Sequence, residues 1–401
     1  MSRVCKNMNK RAFRSIDNDT CCDIEEKKID LTVEDNTQTR KQLVARIERV
    51  TLSIIRQICS GRLPQIAYSS SRNSTDTQTF EENDTKAQFH EESDEIREDF
   101  ERNDRRTVIS FARKRSKDKF SLMVTVMAAA HRLLITNSCI TRRSLYYDLK
   151  NEKTSRLVPE QRYLDHAVNQ VANLLNCAPW ELNLLPTSKG LAAGEMTLTL
   201  IDNRIVDCKV PGGALIPIVA SNVISVRVRA KMVLIVEKDA VFQKLLEDNC
   251  TTSLCSILVT GKGYPDVATR MLVKLLSEKF ELPVYAIVDA DPFGVDIMCV
   301  YRFGSATLSK ERDSLACPTV RWLGIHPSEL LALGVNTVPL TEFDLSKLLA
   351  LETRPYMTDA FLRELRMMRC GKAEIESVSS FSGKFLAATY LPCKIKGDDY
   401  I

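Results

Sequence analysis

Between residues 41 and 59, Leu43, Ile47, Val50, Ile54 and Ile58 recur at steps of three and four, which places them on one face of a helix. Gly61 and Pro64 stop it. The stripe is flanked by polar segments, so it must pack on the body of the protein or on a partner. The apolar pattern fades from 68 to 106, where Ser, Thr, Asn and acidic residues dominate, and returns near Val108. Residues 121–135 (SLMVTVMAAAHRLLI) are apolar enough for a core helix; Asn137-Ser138 breaks it, and Thr141 is placed to cap a second helix carrying RRSLYYDLK. Two helices about a short polar turn predict a helix-turn-helix. A helix over 160–176 shows Leu164, Val168, Val171 and Leu175 on one face.

Short strands are expected over 196–220, and helices followed by such strands are the order of a winged helix. The pattern then changes. MVLIV (232–236), SILVT (256–260) and VYAIV (284–288) are continuous apolar runs that alternate with helical stretches at 240–248 and 266–280. This alternation predicts βαβ units and a mainly parallel, buried sheet. VRWLGI (320–325) is a candidate further strand, and 357–368 and 373–378 read as helical. The expected fold class is therefore multidomain α/β, a winged-helix domain followed by an α/β domain.

The 401 residues carry 56 Lys+Arg against 52 Asp+Glu, a net charge of +4 that is an average over unlike parts. Residues 76–104 hold 12 acids and 3 bases, a local −9, which leaves +13 on the rest. The acidic stretch reads as a solvated linker or loop, an insertion in a basic protein. Basic residues cluster at Arg113, Lys114, Arg115, Lys117 and Lys119, a solvated surface, a phosphate contact or a nuclear import signal. The 13 cysteines form no C-x-x-C pair, so reduced thiols are expected rather than zinc or disulfides. No apolar leader is seen at the N-terminus, and no window approaches 18 uncharged apolar residues, so neither secretion nor a membrane span is expected.

Three constellations carry chemistry. Glu237 follows MVLIV, and Asp289 and Asp291 follow VYAIV in DADPFG. Acids at the carboxyl ends of neighbouring parallel strands face one crevice and make a hard oxygen site suited to Mg2+. TGKGYPD (260–266) joins a strand to a helix: its glycines permit a tight turn, Lys262 can reach a phosphate, and Asp266 can cap the helix. It is not a nucleotide-binding P-loop, since G-x-x-x-x-G-K-[ST] is absent. Arg143 and Tyr147 stand four apart on the second helix of the helix-turn-helix, hence on one face, with Tyr146 turned toward the core.

Together TRRSLYYDL (141–149), SKGLAAG (188–194), VEKDAVF (236–242), TGKGYPDVATR (260–270), DADPFGVDI (289–297) and WLGIHPSEL (322–330) resemble one family, the A subunits of topoisomerase VI with their eukaryotic relatives that make programmed meiotic DNA double-strand breaks. The resemblance runs from about residue 40 to the C-terminus, and WLGIHPSEL and AEIESVSSFSGKFLAATYLP (373–392) are most similar to the meiotic branch.

The resemblance implies that the α/β domain is a Toprim domain whose metal ligands are Glu237, Asp289 and Asp291, with Mg2+ as cofactor. It puts the catalytic tyrosine on Tyr147, its arginine on Arg143, and DNA contacts on Lys189 and Tyr264, beside Lys262. It implies tyrosine attack on double-stranded DNA to leave 5′-phosphotyrosyl links, an active homodimer, a topoisomerase VI B-like partner bound through the N-terminal helix, meiotic accessory proteins, and a place on nuclear chromosomes. The expected division is a tail over 1–38, a partner-binding helix at 39–64, an acidic linker at 65–106, a winged-helix domain at 107–222 and a Toprim domain at 223–401. Alternatives are an A-type subunit that reseals the break with an ATPase partner, and a non-catalytic winged-helix DNA-binding protein.

Overall fold

The computed structural model describes residues 24–31, 34–69, 106–114, 116–219, 223–304, 315–378 and 383–401. The acidic stretch at 76–104, Arg115 and the first 23 residues of the expected tail lie outside the described residues. The chain forms two compact units. One is Asp35–Thr187; the other joins Ser188–Ile401 to the N-terminal strand β1 (Lys27–Asp30). The boundary falls at 187/188 rather than at the expected 222/223, and part of the expected tail is a strand.

The first unit is helical. Helix α1 (Glu34–Cys59) begins earlier than its apolar stripe. Leu43 and Ile47 are buried, and Val44, Val50 and Ile54 pack half-buried on the same core. Arg46 reaches the C-terminal carbonyls of a later helix, donating to Leu175 O at 2.8 Å and Asn176 O at 3.2 Å. Most of the stripe thus covers the protein's own body. Leu52, Ile55 and Ile58 remain exposed. Strands β2 (Gln65–Ser69) and β3 (Arg106–Ser110) pair antiparallel, Ile66 opposite Ile109, and the chain between them lies outside the described residues.

Helix α2 (Lys117–Thr136) buries Met123, Val126, Met127 and Ala130, among others. Against expectation, its length and apolar composition reach those of a membrane span, but 44% of the apolar stretch is buried inside the protein. Asn137 ends it in the left-handed conformation, and after β4 (Ile140–Thr141) the Thr141 side chain accepts from Ser144 N to cap α3 (Arg142–Leu149). Helix α4 (Gln161–Leu175) packs on both, and β5 (Leu184–Leu185) pairs parallel with β4.

The second unit holds two sheets. The larger is built from β6 (Leu191–Ala193), β9 (Ala214–Leu215), β11 (Met232–Val236), β12 (Ser256–Thr260), β13 (Val284–Ile287) and β14 (Val320–Gly324), in the order β14-β13-β11-β12-β6-β9. The first four strands are parallel, as the apolar runs predict. Helices α5 (Asp239–Glu247), α6 (Val267–Glu278) and α7 (Pro292–Phe303) make the crossovers. β7 (Met196–Leu200), β8 (Ile205–Asp207) and β10 (Val223–Val228) join β1 in an antiparallel sheet. The strands expected to be a wing on the helical unit therefore pair within this one.

β11 lies between β12 and β13, so the chain steps to one side of it and then crosses back to the other. This reversal opens a crevice at the carboxyl ends of β11 and β13. C-terminal segments α8 (Pro327–Leu330), α9 (Glu342–Glu352), α10 (Asp359–Met368), α11 (Ile375–Val378) and α12 (Leu391–Lys396) complete the unit.

Candidate metal centre and nucleophile

Glu237 is the first residue beyond β11, and Asp289 and Asp291 follow β13, so the strand reversal brings all three to one crevice. Glu237 and Asp289 are 8% and 5% exposed. Glu237 Oε2 accepts from Asp289 N at 2.8 Å, and Asp291 Oδ1 caps α7 by accepting from Gly294 N at 2.6 Å. Gly294 is needed there, since a Cβ would lie 2.6 Å from Asp289 O and 2.9 Å from Glu237 Oε2. Burial first, then the charges of Asp289 and Asp291, push the Glu237 carboxyl up to about 8. Burial also raises Asp289, against the hydrogen bond from Lys238, and raises Asp291, against the hydrogen bond from Gly294. The ligand atoms of Glu237, Asp289 and Asp291 do not all close to within 4.8 Å of one another, as those of His326, Glu329 and Asp399 do, but three hard donors that resist ionisation together suit a divalent cation, whose charge would relieve the burial and the repulsion at once.

The 260–266 turn is fixed to this centre through the backbone of Glu237, whose carbonyl accepts from Gly263 N at 2.9 Å and Thr260 Oγ1 at 3.4 Å. Lys262 sits in the left-handed region (φ 52°) and pairs with Asp239 at 3.1 Å. Asp266 caps α6 as expected, and its other oxygen accepts from Lys189 N at 2.6 Å and Gly190 N at 3.1 Å. Lys189 Nζ then reaches Lys262 O at 3.2 Å. Lys189 and Lys262, 73 residues apart, are thus brought side by side, with the Lys262 ammonium held by Asp239. Tyr264 is 41% exposed, and its hydroxyl donates to Asp296 Oδ2 at 2.5 Å. Burial first, then that hydrogen bond and charge, keep the phenol protonated well above its usual range.

In the helical unit, Arg143 and Tyr147 are exposed on α3, Tyr147 by 60%, whereas Tyr146 packs on the core. The two tyrosine rings meet edge to face with centroids 5.5 Å apart.

Sequence reasoning missed Lys238, Glu374 and Glu376, which gather beside Asp289. The signal was present in VEK and AEIES, yet nothing in the sequence places one against the other. A separate group, His326, Glu329 and Asp399, has potential ligand atoms within 4.8 Å of one another. Lys394 already fills its centre, donating to His326 Nδ1 at 3.1 Å, to Asp399 Oδ2 at 3.0 Å and to Glu329 Oε1. Burial pulls Glu329 upward, but His326 and Lys394 hold its carboxyl down to about 2. This is an internal ion network with its own cation.

Two family models match the chain: the Toprim domain of the topoisomerase 6 A-subunit/Spo11 family over residues 232–395, and the type IIB DNA topoisomerase family over 118–184. The chain is 39% identical to the human meiotic recombination protein SPO11 over 298 residues, covering 72% of this chain and 74% of that protein. It is 39% identical to the Drosophila melanogaster meiotic recombination protein W68 over 292 residues (72% and 86%), and 33% identical to the A subunit of DNA topoisomerase 6 from Arabidopsis thaliana over 309 residues (74% and 70%).

Proposed function

Because this chain belongs to the topoisomerase 6 A-subunit/Spo11 family, we propose that it is a DNA-cleaving transesterase that opens double-strand breaks in meiotic chromosomes and so initiates homologous recombination. The observation that carries the reading is the exposed Tyr147 one helical turn from Arg143, with its neighbour Tyr146 turned into the core.

Tyr147 Oη attacks the phosphorus of a DNA phosphodiester. The Oη–P bond forms and the P–O3′ bond breaks. The tyrosine proton is lost and the leaving 3′-oxygen gains one, so one phosphodiester replaces another without ATP. Arg143 lies on the same face and supplies charge for the phosphoryl oxygens in the transition state. Glu237, Asp289 and Asp291 would hold Mg2+, which supplies Lewis-acid stabilisation of phosphate oxygens when bound. Lys189, Lys262 and Tyr264 line the edge offered to DNA, and the helix-turn-helix of α2 and α3, read as the winged-helix part, presents Tyr147 to the duplex. Two strands require two copies of Tyr147, hence a homodimer on DNA, in the nucleus. The topoisomerase VI B-like partner would meet α1 through Leu52, Ile55 and Ile58, since the Leu43–Ile54 stripe is occupied by the protein's own core.

The test is recovery of the full chain from meiotic cells under denaturing conditions, followed by 3′-end labelling of attached oligonucleotides. Label is expected on the wild type and absent from Tyr147→Phe. Label retained by that variant would remove Tyr147 as nucleophile. Relaxation of supercoiled DNA with ATP and a B-type partner would favour the resealing A-type alternative instead.

A further inference from the structure

The last acid of DADPFGVDI takes no part in the carboxylate centre. Asp296 lies on α7, whose cap is Asp291, and is 5% exposed. Three groups from outside that helix meet its carboxylate. The Tyr264 hydroxyl donates to Oδ2 at 2.5 Å, Lys347 Nζ on α9 donates to the same oxygen at 2.9 Å, and Arg354 Nη1 lies 2.6 Å from Oδ1. Burial alone would raise this carboxyl; the hydrogen bond from Tyr264, then Lys347 and Arg354, hold it below its usual range, so it stands as an ionised acceptor.

Both cations are themselves fixed to α7. Lys347 Nζ lies 5.3 Å from the centre of the Phe293 ring. Arg354 Nη1 also donates to the Tyr356 hydroxyl at 3.0 Å, and the Tyr356 ring stacks on Phe303, at the far end of α7, with centroids 4.0 Å apart. Tyr264 is anchored at one end only: its hydroxyl is on Asp296, while the residue is 41% exposed on the 260–266 turn.

We infer that Asp296 is a positioning residue for Tyr264: it engages the hydroxyl, so that this side chain meets DNA with its ring and not with its hydroxyl, a role that rests on the reading of Tyr264 as part of the edge offered to DNA. A phenol has one proton to donate, and here it goes to a carboxylate whose charge would repel a phosphate approaching the same oxygen. The exposed ring is left for a base or sugar of the duplex. Because Asp291 caps the helix that carries Asp296, the aromatic contact and the carboxylate centre are held in register through α7.

The test is the affinity of the full chain for duplex DNA, read by fluorescence anisotropy as a double-mutant cycle, with folding followed by thermal unfolding. Tyr264→Phe keeps the ring but frees it from Asp296, and is expected to weaken binding roughly 5-fold; Tyr264→Leu removes the ring and should weaken it roughly 30-fold. In an Asp296→Ala background the step from Tyr264 to Phe should cost less than ~2-fold, since the hydroxyl has lost its acceptor. Each comparison is made within one background, so the charge removed with Asp296 cancels. Should Asp296→Ala fail to fold, Asp296→Asn takes its place, and a neutral acceptor should leave a cost of about 2-fold. Tyr264→Phe leaves Asp296 paired with Lys347 and Arg354 and is expected to stay folded. Wild-type affinity in Tyr264→Phe overturns the role of Asp296, as does an undiminished cost of Tyr264→Phe in the Asp296 background, which would put the hydroxyl itself on DNA. Wild-type affinity in Tyr264→Leu instead takes Tyr264 off the DNA edge and overturns that part of the functional reading.

Discussion

Replacing Glu237 with Gln should stabilise the metal-free protein at neutral pH. Glu237 is buried, and its carboxyl is raised from an ordinary 4.5 to about 8. A carboxyl whose folded value exceeds its unfolded value contributes stability that is fully present below the unfolded value and is lost as pH climbs through the interval. The loss starts near pH 4.5, reaches about 3 kcal/mol at pH 7 at ~1.4 kcal/mol per pH unit, and ends once pH passes about 8. Gln keeps an acceptor for Asp289 N and carries no charge. At about 2–4 °C per kcal/mol for a unit of this size, Glu237→Gln should melt roughly 6–12 °C above wild type at pH 7 in chelator. The gap should close toward pH 4.5. Saturating Mg2+ should raise wild type toward the variant and leave the variant nearly unmoved. The assay is thermal unfolding by circular dichroism at pH 5, 6, 7 and 8, with chelator and with Mg2+. A variant that melts at or below wild type at pH 7, or a gap that does not shrink with acid, would refute the claim that burial and the neighbouring aspartates set the state of Glu237.

The two tyrosines should separate cleanly. Tyr147→Phe, at an exposed position, should change stability by less than ~0.5 kcal/mol while abolishing covalent DNA adducts, whereas Tyr146→Ala should lose ~2–3 kcal/mol in urea unfolding through its core contacts. Lys189→Ala and Lys262→Ala should weaken duplex binding and each lower the slope of log affinity against log salt by ~0.9 if each lysine meets one phosphate, as read by fluorescence anisotropy. Unchanged slopes would place DNA elsewhere. Ile55→Asp, on the exposed face of α1, should leave the melting temperature within ~2 °C yet abolish co-purification with a B-like partner, while Ile47→Asp, buried in the core, should unfold the helical unit.

Local pattern carried much of this protein. The continuous runs at 232–236, 256–260 and 284–288 became parallel strands because a strand covered on both faces must be apolar throughout. The caps at Thr141 and Asp266 were legible because a short polar side chain before a helical run satisfies free backbone donors. The i, i+4 spacing of Arg143 and Tyr147 fixed their shared face, and helical phase turned Tyr146 inward. The family resemblance supplied the chemistry that spacing alone leaves open.

What the sequence could not decide was pairing between distant segments. The strands at 196–220 read as a wing because they follow helices, yet β7 pairs with β10 and carries β8, and β9 pairs with β6 beside β12, so all three join the sheets of the Toprim-bearing unit. β1 looked like tail because four residues of mixed polarity carry no periodic signal, and only antiparallel bonding to β10 makes it a strand. The stripe of α1 predicted an apolar contact without naming the surface, and the structure assigns most of it to the protein's own core. Lys238, Glu374 and Glu376 were ordinary surface residues in the sequence. A charged group's role depends on which other charges lie within a few ångströms, and here that is set by a contact spanning 138 residues.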